Sequence, residues 1–279
     1  MTVVLDSHVH FWDPRQLRYP WLVDVDRLNR PFTPDDFPAR HDVIVVEAGR
    51  VPVDAPAEIE WIRREAQRHP WIRGIVAHAD LEHPAAASRC GDDPFVVGVR
   101  RNVQDEAPGF LEGEDFRAGV RLLGETGLPF DACIRAHQLP ELTALAEACP
   151  RTTIVLDHLG KPSPGGPGYR RWREDLRRLS RHANVRCKLS GLATETIPGT
   201  ARSQVVDALK EALDAFGPGR CLYGSDWPVM TLATDHEAWL DAVHTALDGH
   251  PAEAVLRHNA EQTYLARAAL GQAQRKDPE

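Results

Sequence analysis

The sequence predicts a (β/α)8 barrel, an eight-stranded parallel α/β fold, and three observations carry that prediction. Short apolar runs recur eight times, segments of helical period separate them, and residues able to do chemistry gather where the runs end. The chain has 279 residues, within the range of one barrel, and 42% of them are hydrophobic, enough for a full-sized core. One domain over residues 1–279 is expected, with 271–279 as a polar, frayed tail.

Strands are expected at residues 3–11, 42–47, 72–78, 96–101, 129–135, 152–158, 185–190 and 221–226. The first helix is expected at 57–68, where Ile59, Ile62 and Ala66 form one stripe. The next covers 116–126, with Val120, Leu122 and Leu123 and a stop at Gly127. Another covers 139–148, with Pro140 in its first turn. Helices at 169–182, 203–216, 235–247 and about 252–270 complete the pattern, the second of these ended by Gly217-Pro218-Gly219. Two long loops directly follow strands: 12–40, rich in proline and aromatics, and 160–168, a Gly/Pro-rich run. Loops in that position form the catalytic face of a barrel, so both are expected to wall the active site.

Composition removes several function classes. The net charge is −8, and the most basic stretch, Arg170 to Arg181, is interrupted by Glu174 and Asp175 in the manner of a solvated helix face, so no nucleic-acid partner is expected. No apolar run approaches the roughly 18 residues that span a membrane. The first residues lack a basic flank and meet Asp6 early, which is not a signal-peptide pattern, and a cytoplasmic location is expected. The five cysteines are scattered and form no C-x-x-C pair, so neither a disulfide framework nor a cysteine zinc site is expected.

Three strand ends carry chemistry. His8-Val9-His10 closes the first strand, and side chains two apart share a face. Strict alternation then points Val4, Asp6, His8 and His10 to the barrel centre and Val3, Leu5, Ser7 and Val9 toward the helices. The eighth strand ends in Asp226, which a closed barrel sets beside His8 and His10; a carboxylate there serves either as metal ligand or as general base toward water. The sixth strand ends in His158, which opens the second long loop. His41, His69, His182, His236, His244, His250 and His258 read as helix-end or surface residues.

These motifs, in this order, resemble the amidohydrolase superfamily, whose barrels carry His-x-His on strand one and Asp on strand eight. His8-Val9-His10-Phe11-Trp12-Asp13-Pro14, Tyr19-Pro20-Trp21-Leu22, Val97-Gly98-Val99-Arg100-Arg101, Leu156-Asp157-His158-Leu159-Gly160-Lys161-Pro162, Lys188-Leu189-Ser190-Gly191-Leu192 and Tyr223-Gly224-Ser225-Asp226-Trp227-Pro228 are similar to the amidohydrolase-2 branch, and within it to sugar lactonases of the L-fuconolactonase and L-rhamnonolactonase type. The sequence departs from that branch at His78, where tryptophan is more usual, and an altered pocket is expected there.

The resemblance implies a hydrolase that opens a sugar-acid lactone, with Asp226 activating water and His8, His10 and His158 orienting that water and donating to the carbonyl oxygen. Substrate contacts are expected from Arg100, Lys188, Ser190, Trp21 and Trp227. Strand four carries Arg100 and Arg101 where binuclear relatives place a bridging lysine or glutamate, which argues against a two-metal centre. A single Zn²⁺ or Mn²⁺ on His8, His10, Asp226 and His158 (or His137) is open. The branch implies catalysis that needs no divalent ion, and no required cofactor is therefore expected. The rival reading is a metal-dependent decarboxylase or amide hydrolase of the same branch. A homo-oligomer is allowed, and nothing in the sequence decides it.

Overall fold

The computed structural model of the chain describes residues 3–267. Eight parallel strands lie in the order of the sequence: β1 (Leu5–Val9), β2 (Asp42–Val46), β3 (Ile72–His78), β4 (Val96–Asn102), β5 (Phe130–Cys133), β6 (Ile154–Leu156), β7 (Val185–Leu189) and β8 (Cys221–Tyr223). The first and last meet through Asp226 N–H donating to His8 O at 2.8 Å and His10 N–H donating to Trp227 O at 2.7 Å, just beyond the last strand's end. These two bonds bring the ends of the sheet together into a (β/α)8 barrel.

Helices α1 (Ala55–Arg68), α2 (Pro84–Gly91), α3 (Glu114–Thr126), α4 (Leu139–Ala148), α5 (Tyr169–Leu179), α6 (Arg202–Phe216) and α7 (His236–Ala246) follow β2 to β8 in turn. A last helical stretch over 252–267 contains two π segments, Ala254–His258 and Glu261–Leu265. The expected tail at 271–279 and the end of the last expected helix lie outside the described residues. No helix among the described residues is long and apolar enough to cross a membrane. The five cysteines are free, and four of them are buried.

No α-helix stands between β1 and β2. Residues 12–40 instead fold as short 3-10 turns held by Trp12, whose indole N–H donates to Leu28 O at 3.2 Å and Arg30 O at 2.9 Å. Trp12 also meets the rings of Trp21 and Phe32 edge-on at 5.3 Å each. Aromatic burial of this kind gives a long loop a fixed shape without regular structure.

The barrel interior is a layered core. Leu5, Ile44, Val46, Val76, Val97, Val155 and Leu222 pack together, with Ala260 and Tyr264 of the C-terminal helix inserted among them. Gly98 eases that insertion, because a Cβ there would stand 3.2 Å from the Tyr264 ring, a tight contact.

Leu5 belongs to this interior cluster, which corrects the expected facing of the first strand. Between Asp6↔Val43 and Val9↔Val45 the register slips, so three steps along β1 face two along β2. One extra residue reverses parity. Val4 joins the outer core, Asp6 turns toward His41 and His236, and His8 and His10 return to the interior. Asp6 Oδ1 holds the slip in place by accepting from His8 N–H at 3.1 Å and Ser225 N–H at 2.9 Å.

Tyr264 donates its hydroxyl to Asp131 at 2.9 Å. Removing that hydroxyl leaves a buried carboxylate with one donor fewer, which costs about 1–3 kcal/mol. Tyr264→Phe is therefore expected to lower the unfolding free energy by that amount, read as a lower urea midpoint at unchanged slope; a midpoint equal to wild type would contradict the role given to this bond.

Candidate active site

The ends of β1, β6 and β8 bring His8, His10, His158 and Asp226 to one mouth. Two of the ends are reached through backbone that side chains seldom adopt: His158, Leu159 and Lys161 have φ of 53°, 56° and 54°, and Asp226 has φ of 63°. Left-handed conformation at non-glycine residues costs about 1–3 kcal/mol each and persists where the surroundings over-determine it. Here it ends β6 and β8 early and turns the side chains over the barrel. Gly191 completes the fit, since a Cβ at that position would stand 2.3 Å from His158 Nδ1.

His8 Nε2 and His10 Nε2 face each other at 3.2 Å, and Asp226 Oδ1 lies 3.7 Å from the first and 3.4 Å from the second. His10 Nδ1 is 2.8 Å from Val46 O. A carbonyl only accepts, so Nδ1 carries a proton and donates it, and Nε2 is the ring nitrogen turned to His8 and Asp226. Burial, and then the charge of Lys188, hold the His8 imidazole well below its ordinary pKa, so it is neutral. His158, also held neutral by burial, sits with its ring 4.5 Å from His8 and its Nδ1 2.9 Å from Ser190 Oγ.

Beneath the imidazoles lies a buried charge network. Lys188 is fully buried; its ammonium donates to Asp131 and reaches Asp157 Oδ1 and His8 Nδ1 at 3.2 Å each. Burial pushes the Asp131 carboxyl up, to about 6, although Lys188 opposes it. Burial acts the same way on Asp157, but Lys188 and Arg100 outweigh it and hold this carboxyl below its ordinary value. Asp157 Oδ1 is 3.4 Å from His8 Nδ1, so this nitrogen faces both the ammonium and a carboxylate.

A cavity of about 380 Å³ opens above, lined by His10, Trp21, Arg100, His158, Lys161 and Asp226 among others. Arg100 is buried and fixed by Glu47, with Nε donating to Oε1 at 2.6 Å, while Nη1 stands 3.9 Å from Asp157 Oδ2. Arg101 turns away to Glu82 and Glu106. Trp21 commits its indole N–H to Ala48 O at 2.8 Å and presents its ring to the cavity.

Three residues expected to touch substrate stand behind the wall. Lys188 is consumed by Asp131, Asp157 and His8, Ser190 supports His158, and Trp227 packs against Phe11, Phe32 and Phe37. Alternation along β7 aims Lys188 inward, but the strand ends too low for it to reach the mouth. His78 does not line this cavity; its Nε2 pairs with Asp80 at 3.0 Å beside a separate depression. His137 is exposed and lies outside the cluster. Sequence reasoning missed Lys161, whose ammonium lines the cavity and donates to Gln104 Oε1 at 2.7 Å. Its place at the head of the loop after β6 was the available signal.

His8, His10 and Asp226 fit a divalent ion. Ligands about 2.0–2.2 Å from a tetrahedral ion lie about 3.3–3.6 Å from one another, and the observed separations of 3.2, 3.4 and 3.7 Å bracket that range. His158 falls in a neighbouring group with His8 and Asp157.

The Amidohydrolase family model matches residues 5–265. An L-fucono-1,5-lactonase of Burkholderia multivorans is 34% identical over 253 residues, covering 84% of each chain. A second L-fucono-1,5-lactonase, of Burkholderia ambifaria, is 32% identical over 254 residues and covers 86% of each. A crystal structure of an amidohydrolase from Burkholderia multivorans with bound zinc superposes with a TM-score of 0.84 at 31% identity, covering 94% of this chain and 99% of that one. The zinc of that structure, together with the converging donors here, overturns the expectation of catalysis that needs no ion. The physical reason is the donor chemistry: two imidazoles and a carboxylate aimed at one point are a ligand set.

The support of Arg100 has its own pH signature. Burial opposes ionisation of Glu47, yet Arg100 and Arg50 pull it down to about 2. Glu58, behind Arg50, is lifted by burial to about 7 from its ordinary 4.5. A carboxyl raised on folding adds stability that is full below pH 4.5 and lost as pH rises through 7. Glu58→Gln is expected to flatten the fall in urea midpoint between pH 5 and 8; a slope equal to wild type would contradict this assignment.

Proposed function

The chain belongs to the amidohydrolase family, and on that footing we propose that it opens the ring of a sugar-acid lactone, of the L-fucono-1,5-lactone class, to the free acid. It is a hydrolase of cyclic esters. The observation that carries this reading is the polar cavity over His8, His10 and Asp226, taken with the two L-fucono-1,5-lactonases that the chain resembles over most of its length. Arg100, Lys161, Asn102, Gln104 and Thr194 offer a hydroxyl-rich ligand donors and acceptors around its rim, and Trp21 offers a ring face.

A zinc-class ion held by His8, His10 and Asp226 would supply a Lewis acid and a water of lowered pKa. The remaining work falls to side chains. The Asp226 carboxylate takes a proton from the attacking water as the new C–O bond forms at the lactone carbonyl. His158, with Nδ1 occupied by Ser190, turns Nε2 to the carbonyl oxygen, and Arg100 Nη1 adds positive charge near the same oxygen. The tetrahedral intermediate collapses, the ring C–O bond breaks, and the proton held by Asp226 passes to the departing ring oxygen. One water is consumed, and the product is a hydroxy acid that releases a proton at neutral pH.

That released proton gives the assay. A panel of aldonolactones (fucono-, galactono-, rhamnono-, arabino- and xylono-) followed with a pH indicator is expected to show turnover, fastest for the L-fucono configuration. Asp226→Asn is expected to lower kcat by about 10²-fold or more while the fold is kept. Near-normal turnover in that variant would end the proposed role, and a panel without turnover would end the proposed substrate class.

A further inference from the structure

Asp6 has two carboxylate oxygens with different fates. Oδ1 accepts from His8 N–H and Ser225 N–H, whereas Oδ2 is buried without a hydrogen-bond partner. Facing it are two more buried, unpartnered atoms, His41 Nε2 at 3.7 Å and His236 Nε2 at 3.8 Å. The carboxylate has no exposure and each imidazole side chain only 11%. Three elements meet here: β1 at its register slip, the segment before β2, and the first residue of α7.

The spacing decides what fits between them. Direct hydrogen bonds require about 2.7–3.2 Å, so the three atoms are too far apart to satisfy one another. A water bonded to two of them at about 2.8 Å with a tetrahedral angle would hold them about 4.6 Å apart. A metal ion at about 2.0–2.2 Å holds its ligands about 3.3–3.6 Å apart. The observed 3.7 and 3.8 Å lie close to the second arrangement, and all three atoms fall within 4.8 Å of one another. Two imidazoles with one carboxylate form a donor set suited to zinc rather than to calcium or magnesium.

We propose that Asp6, His41 and His236 hold a second divalent cation of the zinc class on the outer side of β1, separate from the catalytic centre. Its role is to fasten the register slip. It ties Asp6, which aims His8 through the backbone, to the segment before β2 and to the start of α7. Three protein ligands leave one position for water.

Counting zinc tests this. Protein stripped by chelation is reloaded with zinc, desalted and weighed by native mass spectrometry, as wild type, as His10→Asn, and as the double variant His41→Gln with His236→Gln. Wild type is expected to carry about two equivalents. His10→Asn is expected to keep about one, at the outer site, and the double variant to keep about one, at the inner site, with its lactone hydrolysis preserved. Wild type carrying a single equivalent that disappears in His10→Asn would overturn the proposal, and that pair decides even if the double variant does not fold. A single equivalent that survives in His10→Asn and disappears in the double variant would uphold the outer site and contradict the inner one. Protein that takes up no zinc overturns both.

Discussion

One residue too many in the first strand governs where everything in the active site points. In a regular strand the side chains of Leu5 and His8, three positions apart, face opposite sides of the sheet. The slip against β2 puts both inside, so the same short segment closes the hydrophobic barrel below and supplies its ligands above. The slip is not free to heal, because Asp6 Oδ1 receives two backbone donors, one from each side of the β1–β8 seam. Asp226 reaches the same seam from β8, its N–H bonded to His8 O. The two ends of the barrel sheet are thus joined at the residues of the candidate site, so the bonds that close the barrel also set His8, His10 and Asp226 side by side.

Beneath that seam the protein keeps charge where a barrel usually keeps aliphatic layers. Lys188, Asp131 and Asp157 are completely buried, and removing Lys188 takes from both carboxylates the ammonium they share. The network offsets its desolvation by holding His8 from behind and by accepting the Tyr264 hydroxyl from the C-terminal helix. A second buried network, Glu47 with Arg50 and Arg100, does the same for the guanidinium at the cavity wall. The mouth above is therefore rigid in its imidazoles and its arginine, which suits a reaction whose catalysis depends on pre-set dipoles.

Much of this was legible in the sequence because a barrel repeats one physical rule eight times. The alternation of apolar runs with helical segments gave the strand order, and the polar residues at strand ends gave His8, His10, His158 and Asp226. What escaped was whatever depends on one residue of offset. Alternation assigned Leu5 outward and Asp6 inward, and the register slip reversed both. Strands expected to run to residues 158 and 226 stop at Leu156 and Tyr223, because the backbone turns left-handed at His158 and at Asp226. Helix α2 gave too little signal, since Pro84–Gly91 carries small side chains and hardly any apolar stripe. Lys188 and Ser190 were placed on the correct face at the wrong depth, and depth within a barrel is invisible to periodicity. His41 and His236 looked like surface residues because no sequence pattern links them to Asp6.

The measurement that bears most directly on the account is hydrolysis of L-fucono-1,5-lactone by one preparation before chelation, after it, and after zinc is returned. Turnover is expected to fall on chelation and to recover as zinc fills the site of His8, His10 and Asp226. Turnover unchanged in protein shown to be free of metal would contradict it.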